Sequence, residues 1–480
     1  DYRLVSDAPA INAGTENLGK DITGTTDIVL PSYDADYTDR VKDCTVDIGA
    51  YERNNQDNVK PDLTTETGKA IYYVIQNGAG TANGDSPENA ACATKLQEVL
   101  NAAGEYAADN LGKDVIVKVA GYESGSFTYH VNTLADPKNP QSYSYSIPYG
   151  VTVMGGYNEG TYKNGVPQGD GSWNEDNRDI TKYRTVFSAI KRATSTTQEV
   201  QGYHTVTFKG IPEYWKEGDR QTVIDGVYIQ DGSATSLSGG DNDDIKGGAA
   251  IVPAGAHVRN CVIQDNEAMQ GGGLYVLPGG WVSGCVIKKN NADGEGGGIY
   301  AKSDNLQHAY LVSNTIAENT AAHGGGAYIE KGAAMTLNSV IWNNHANSDK
   351  NVSAAVNERE KDGMLDAMIS ELPNQDWYPF NNCYVESIEL PYNLQNTKME
   401  SSMSTYFANE DYVLKYYSLL IDHGMLENMQ KYLIENKNVS AYDMQGLNRL
   451  STGDARADVG AFAFEGKMLD ATKLLRRIFV

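Results

Sequence analysis

Gly271-Gly272-Gly273-Leu274-Tyr275, Gly296-Gly297-Gly298-Ile299-Tyr300 and Gly324-Gly325-Gly326-Ala327-Tyr328 are three versions of one segment, and Gly247-Gly248-Ala249-Ala250-Ile251 is a fourth. Each is followed by a β-type run that closes on asparagine. The four runs are Cys261-Val262-Ile263-Gln264-Asp265-Asn266, Cys285-Val286-Ile287-Lys288-Lys289-Asn290, Asn314-Thr315-Ile316-Ala317-Glu318-Asn319 and Ser339-Val340-Ile341-Trp342-Asn343-Asn344. The closing asparagines are 24, 29 and 25 residues apart. A unit this short cannot bury its own apolar side chains, so it must stack on its neighbours.

Strand alternation sorts each run into two faces. One carries Cys261, Cys285, Asn314 and Ser339 in one column and Ile263, Ile287, Ile316 and Ile341 in the next. The aligned isoleucines make this the inward face. It leaves Val262, Gln264, Val286, Lys288, Thr315, Ala317, Val340 and Trp342 outward. The asparagines fall where the chain must turn. There they tolerate a left-handed backbone, and their amides can bond to the rung above or below. The glycines are expected at the other sharp turns, where a Cβ would obstruct. Parallel strands stacked about 4.8 Å apart and turning through each rung make an all-β parallel β-helix, a solenoid.

Upstream, a strand is expected at Ile71 to Ile75, then a helix from Thr94, with Thr94 and Gln97 as a capping box and Leu96, Val99, Leu100 and Ala103 on one face. Such a helix would cap the open N-terminal end of the solenoid. Strands resume at Asp114 to Gly121, Tyr143 to Ile147, Val151 to Tyr157, Thr185 to Phe187, Thr205 to Phe208 and Val223 to Asp231, with the polar insertion Asn158 to Tyr183 looping out. Beyond Asn344 the repeat decays, with a helix-like stretch at Met425 to Glu435.

The ends of the chain resemble each other. Asp1-Tyr2-Arg3-Leu4 to Gly14 recurs as Asp411-Tyr412-Val413-Leu414 to Gly424, an offset of 410. Asp47-Ile48-Gly49-Ala50-Tyr51 recurs as Asp458-Val459-Gly460-Ala461-Phe462, an offset of 411, and Ala70 to Val74 resembles Arg476 to Val480, an offset of 406. The expected organisation is therefore tandem: 1–53 the end of one module, 54–68 a linker, 69–466 a complete module and 467–480 the start of a third.

A formal net charge of −24 argues against nucleic acid and anionic membrane surfaces as partners, and no apolar run is long enough to cross a bilayer. The balance of 49 glycines and 31 tyrosines against 8 phenylalanines suits a β-rich chain with many turns. Five cysteines make no disulfide framework. Cys261 and Cys285, one rung apart, could be bridged or could stack as buried thiols; parallel in-register strands give poor bridge geometry.

The glycine and asparagine repeats resemble the right-handed parallel β-helix proteins of bacterial surfaces, including polymorphic outer-membrane and autotransporter-like passengers. Val151-Thr152-Val153-Met154-Gly155-Gly156-Tyr157, Val223-Ile224-Asp225-Gly226-Val227 and Asp47-Ile48-Gly49-Ala50-Tyr51-Glu52 are similar to strands of a multi-module surface family from gut-type bacteria. The resemblance supplies the right-handed sense and implies a secreted or surface-displayed, adhesin-like or scaffolding protein that contacts glycans or other surface polymers without catalysis. Polysaccharide lyases and glycoside hydrolases share the architecture and remain the alternative, with a purely structural stalk as a third reading.

No catalytic set stands out. Lyase chemistry needs clustered carboxylates and a base, and the outward positions offer only Lys288 as a base, a residue better read as a solvated surface lysine. Asp225 and Asp231 could form a glycosidase-type pair, or serve as turn residues. Asp241, Asp243 and Asp244 could hold calcium, although they lack the order of a calcium loop; no other cofactor is expected. Seven scattered histidines lack metal-ligand spacing, and His323 and His345 are expected at rung corners. Trp281, Trp342, Trp377 and the tyrosines Tyr275, Tyr300 and Tyr328 could stack on sugar rings or pack between rungs.

Overall fold

The computed structural model describes residues 59–346 apart from short gaps (64–65, 67, parts of 159–177, 194–197, 217, 236–241, 303–307 and 331–333), residues 443–445, and paired strand segments between 352 and 457. The end motifs, the segment 476–480 and the helix-like stretch 425–435 lie outside the described residues, apart from Gly424–Met425, which pairs antiparallel with Arg456–Ala457.

The described chain is mostly β, and its long sheets are parallel. The most regular turn of the chain passes through four stacks in succession: Ala256–Arg259, Val262–Gln264, Glu267–Gln270 and Leu274–Val276. It then re-enters the first stack at Trp281–Ser283, paired in parallel with the strand it left. Four such pairings align Ile263, Ile287, Ile316 and Ile341, with Ile229 continuing the column below. The inward face is the one the alternation predicts: these isoleucines share one core with Cys261, Cys285, Val258, Val282 and Leu311.

The unequal rung lengths have a local cause. Tyr310 lies 29 residues after its partner Trp281, whereas Ala301 lies 25 after Val276, so four added residues sit in the turn between the fourth and first stacks. A further residue is absorbed by a bulge in Asn291–Glu295. The core is thereby unaffected by insertions.

At the second corner the residues with positive φ are Asp265, Lys289, Glu318 and Asn343, one place before the expected asparagines. Asn266, Asn290, Asn319 and Asn344 instead turn inward and are at most 2% exposed. Each Nδ2 donates to the next rung's Oδ1, at 3.0, 2.9 and 2.9 Å, and each of those oxygens also accepts the backbone N–H of the asparagine below. The same amides reach the carbonyls of Ile229, Ile263, Ile287 and Ile316. A buried row of amides is costly unless every group is paired, and stacking in register pairs them. The glycines occupy a corner that excludes a Cβ, as expected. A Cβ on Gly297 would lie 2.3 Å from the Gly325 carbonyl and 2.4 Å from that of Thr320.

The one α-helix among the described residues, α1 (Leu96–Asp109), buries Leu96, Val99, Leu100 and Ala103 against the same core, as expected. The capping box does not form: α1 has no side-chain cap. Gln97 faces the strand Tyr145–Pro148 instead, accepting from Ser146 N–H (2.8 Å) and donating to Ser146 C=O (2.9 Å). That strand pairs in parallel with Val206–Lys209, which hydrogen-bonds to Ala249 next to the first strand of the fourth stack. Gln97 thus satisfies an edge whose backbone groups would otherwise be unpaired. The insertion after Asn158 does not simply loop out. Trp173 returns to lie between Tyr73 (5.3 Å) and Tyr157 (5.6 Å), and Arg178 donates to Gly155 C=O and to Asp225.

Candidate binding face

The residues nominated from sequence are distributed over different faces. Asp225 and Asp231 do not meet as a pair. Asp225 is buried at the first corner, held by Arg178 (2.7 Å) and Arg259. Burial opposes its ionisation, and the two guanidiniums override that and hold the carboxyl at about 2, below the usual 3.8. Asp231 sits at the second corner with positive φ and accepts from Ser188 Oγ (2.5 Å) and Gln230 Nε2 (3.1 Å). Both are engaged in holding corners.

The outward positions of the second stack are not the exposed surface the alternation suggests. Val286, Thr315, Ala317 and Val340 are at most 1% exposed, and Lys288 is 7% exposed rather than solvated. The first stack is covered likewise: His257, Ser283, Val312 and Leu337 face away from the core yet are at most 1% exposed. His257 bonds Ser283 Oγ through Nε2 (2.8 Å), and burial, aided by Arg259, holds its pKa well below the usual value, so it is neutral. Alternation reports direction relative to the core; it cannot report what lies over the other side.

The aromatic candidates divide among a row on the fourth stack, a pair on the first stack and Trp342 on the second. Tyr275, Tyr300 and Tyr328 point outward from the fourth stack and lie face to face, with centroids 4.8 and 5.1 Å apart. Lys246 covers the outer face of Tyr275 (5.5 Å), and the Tyr300 hydroxyl donates to Glu330, which also pairs with Lys302 (2.9 Å). Burial, then Glu330, pushes the Tyr300 phenol well above its ordinary range. Trp281 stacks on Tyr310 (4.1 Å) and is 4% exposed; Trp342 is half-buried. The three tyrosines and Trp281 thus stack on rings of neighbouring rungs, while Trp377 lies outside the described residues.

Of the acidic run, Asp243 pairs with Lys246 (2.9 Å) and Asp244 accepts from Asn139 (3.2 Å) in the short turn Asn242–Ile245; Asp241 lies outside the described residues. Among the described residues no three His, Cys, Asp or Glu side chains converge as a metal site. Cys261 and Cys285 are buried thiols that are not bridged, and Cys92 is disulfide-bonded. His323 and His345 lie at the end and the start of third-stack strands, near the rung corners where they were expected.

The third stack presents an open row. Ser233, Glu267, Asn291, Thr320 and His345 occupy one column in register. Each precedes an inward alanine: Ala234, Ala268, Ala292, Ala321 and Ala346. Asn291, Thr320 and His345 are exposed, and Ser233 donates to Glu267 at 2.6 Å. A second column runs Gln270, Glu295, His323, with Gln270 donating to Glu295 (3.1 Å). The sequence carries a signal for this row, the dipeptide after each corner: Glu-Ala, Asn-Ala, Thr-Ala and His-Ala after the asparagines, and Ser-Ala after Gly232. It is easily missed because only the alanine repeats. No family model, curated protein or solved structure matches the chain.

Proposed function

We propose that the chain is a right-handed parallel β-helix in tandem modules, capped by α1, that acts outside the cell as a non-catalytic adhesin-like or scaffolding protein contacting glycans or other surface polymers. The observation that carries this reading is the third-stack row: a rigid, in-register column of hydrogen-bonding side chains on a parallel core, facing solvent. Rigid presentation lowers the ordering cost of binding. Asp225 and Asp231, the carboxylates that could have formed a glycosidase-type pair, are divided between two corners, each committed to local partners. The Cys92 disulfide fits an oxidising compartment.

The test is incubation of the purified chain with a panel of acidic and neutral polysaccharides, with and without calcium. Retention of a polymer without new unsaturated or reducing ends is the expected result. New chain ends would replace this reading with a lyase or hydrolase.

A further inference from the structure

We infer that the third-stack row is a binding rail for an uncharged polysaccharide lying along the stacking axis. The inference rests on the glycan-contacting reading above and specifies its face and ligand class.

Three observations select the face. The outward side chains of the first two stacks are buried or at most half-buried, from covered His257, Ser283, Thr315 and Val340 to half-buried Gln264 and Trp342, and the fourth is filled by tyrosines stacked on one another. The third stack alone among these carries exposed polar side chains at consecutive rungs. Its inward partners are alanines throughout, at most 5% exposed from Ala234 to Ala321, so stacking fixes the inward residue and leaves the outward one unconstrained. The outward residue is nevertheless polar at all five rungs and different at each: Ser, Glu, Asn, Thr, His.

The chemistry of the row selects the ligand class. A carboxylate accepts from sugar hydroxyls, an amide and a hydroxyl do both, and strand stacking repeats them every ~4.8 Å along a straight line. An extended polymer with hydroxyls along its length can meet several rungs at once. An anionic polymer would meet Glu267, Asp293 and Glu295 on a chain of net charge −24. A protein partner would need apolar or aromatic anchors, or an open strand edge for pairing. The row has no such anchors, and its backbone groups are spent in the parallel ladder.

The experiment is affinity electrophoresis of the chain through gels containing a neutral β-glucan, a neutral mannan, or anionic polygalacturonate. It is run for the unaltered chain and for Asn291→Ala/Thr320→Ala, with the melting midpoint measured in parallel. Both side chains are exposed, so the variant is expected to melt as the unaltered chain does. Retardation by at least one neutral polymer, weakened about tenfold in the variant, is expected; two lost hydrogen bonds account for a factor of that size. Neutral-polymer retardation that the variant retains would overturn the rail while leaving the glycan-contacting reading intact. Retardation by polygalacturonate alone would overturn the ligand class. Retardation by no polymer would overturn both. A Glu267→Gln variant provides a second check, expected to weaken retardation without altering folding.

Discussion

At the scale of single residues, polar side chains inside this molecule are tolerated because the repeat pairs them. Asn290 offers its oxygen to both nitrogens of Asn266 and brings its own amide within 3.1 Å of Ile263 C=O, Lys288 C=O and Asn319 Oδ1. Asn290→Ala would strand a buried N–H and carbonyls on two rungs. A loss on the order of 3–5 kcal/mol is expected, read as a lowered urea midpoint. Burial and charge pairing predict a pH dependence as well. Asp225 has a folded pKa of about 2 against 3.8 unfolded, so its contribution of about 2 kcal/mol is present above pH 3.8 and lost as pH falls toward 2. His257 has a folded pKa below its unfolded 6.5, so its contribution begins to fall already below that pH. Urea midpoints measured across pH should therefore decline in two limbs, and Asp225→Asn should remove the lower one while destabilising the protein at neutral pH, where Arg178 and Arg259 lose their partner.

At the scale of elements, what the sequence made legible depended on whether local periodicity or a tertiary partner decided the outcome. The isoleucine column and the glycine corners follow from period and sterics, and they were readable. The capping box was not, because Thr94 and Gln97 satisfy the local pattern while Gln97 has a competing demand 49 residues away at Ser146. The two uses can be separated. Gln97→Ala should cost about 2 kcal/mol and speed amide exchange at Ser146, whereas Thr94→Ala should change that exchange far less. The left-handed corners were misplaced by one residue for a related reason. Asparagine favours such a backbone in isolation, but here its amide is needed inside, and Asp265, Lys289 and Glu318 take the strained conformation in its place.

For the whole molecule, the core was legible and the surface was not. Alternation predicts the inward side of the second stack, but Lys288 and Thr315 on its outward side are buried as well, a property no periodicity encodes. The third-stack row escaped notice because its strands are short, one is bulged at Asn291–Glu295, and the outward residue changes at every rung. The binding face exists only if those rungs form one continuous stack. Spin labels at Ser233 and His345, 112 residues apart in sequence, test this directly, since the parallel pairings place them four rungs apart in one column. Four steps of about 4.8 Å predict a narrow distance distribution with backbones about 19 Å apart. A broad distribution, or one centred beyond about 30 Å, would contradict the stack and the binding face built upon it.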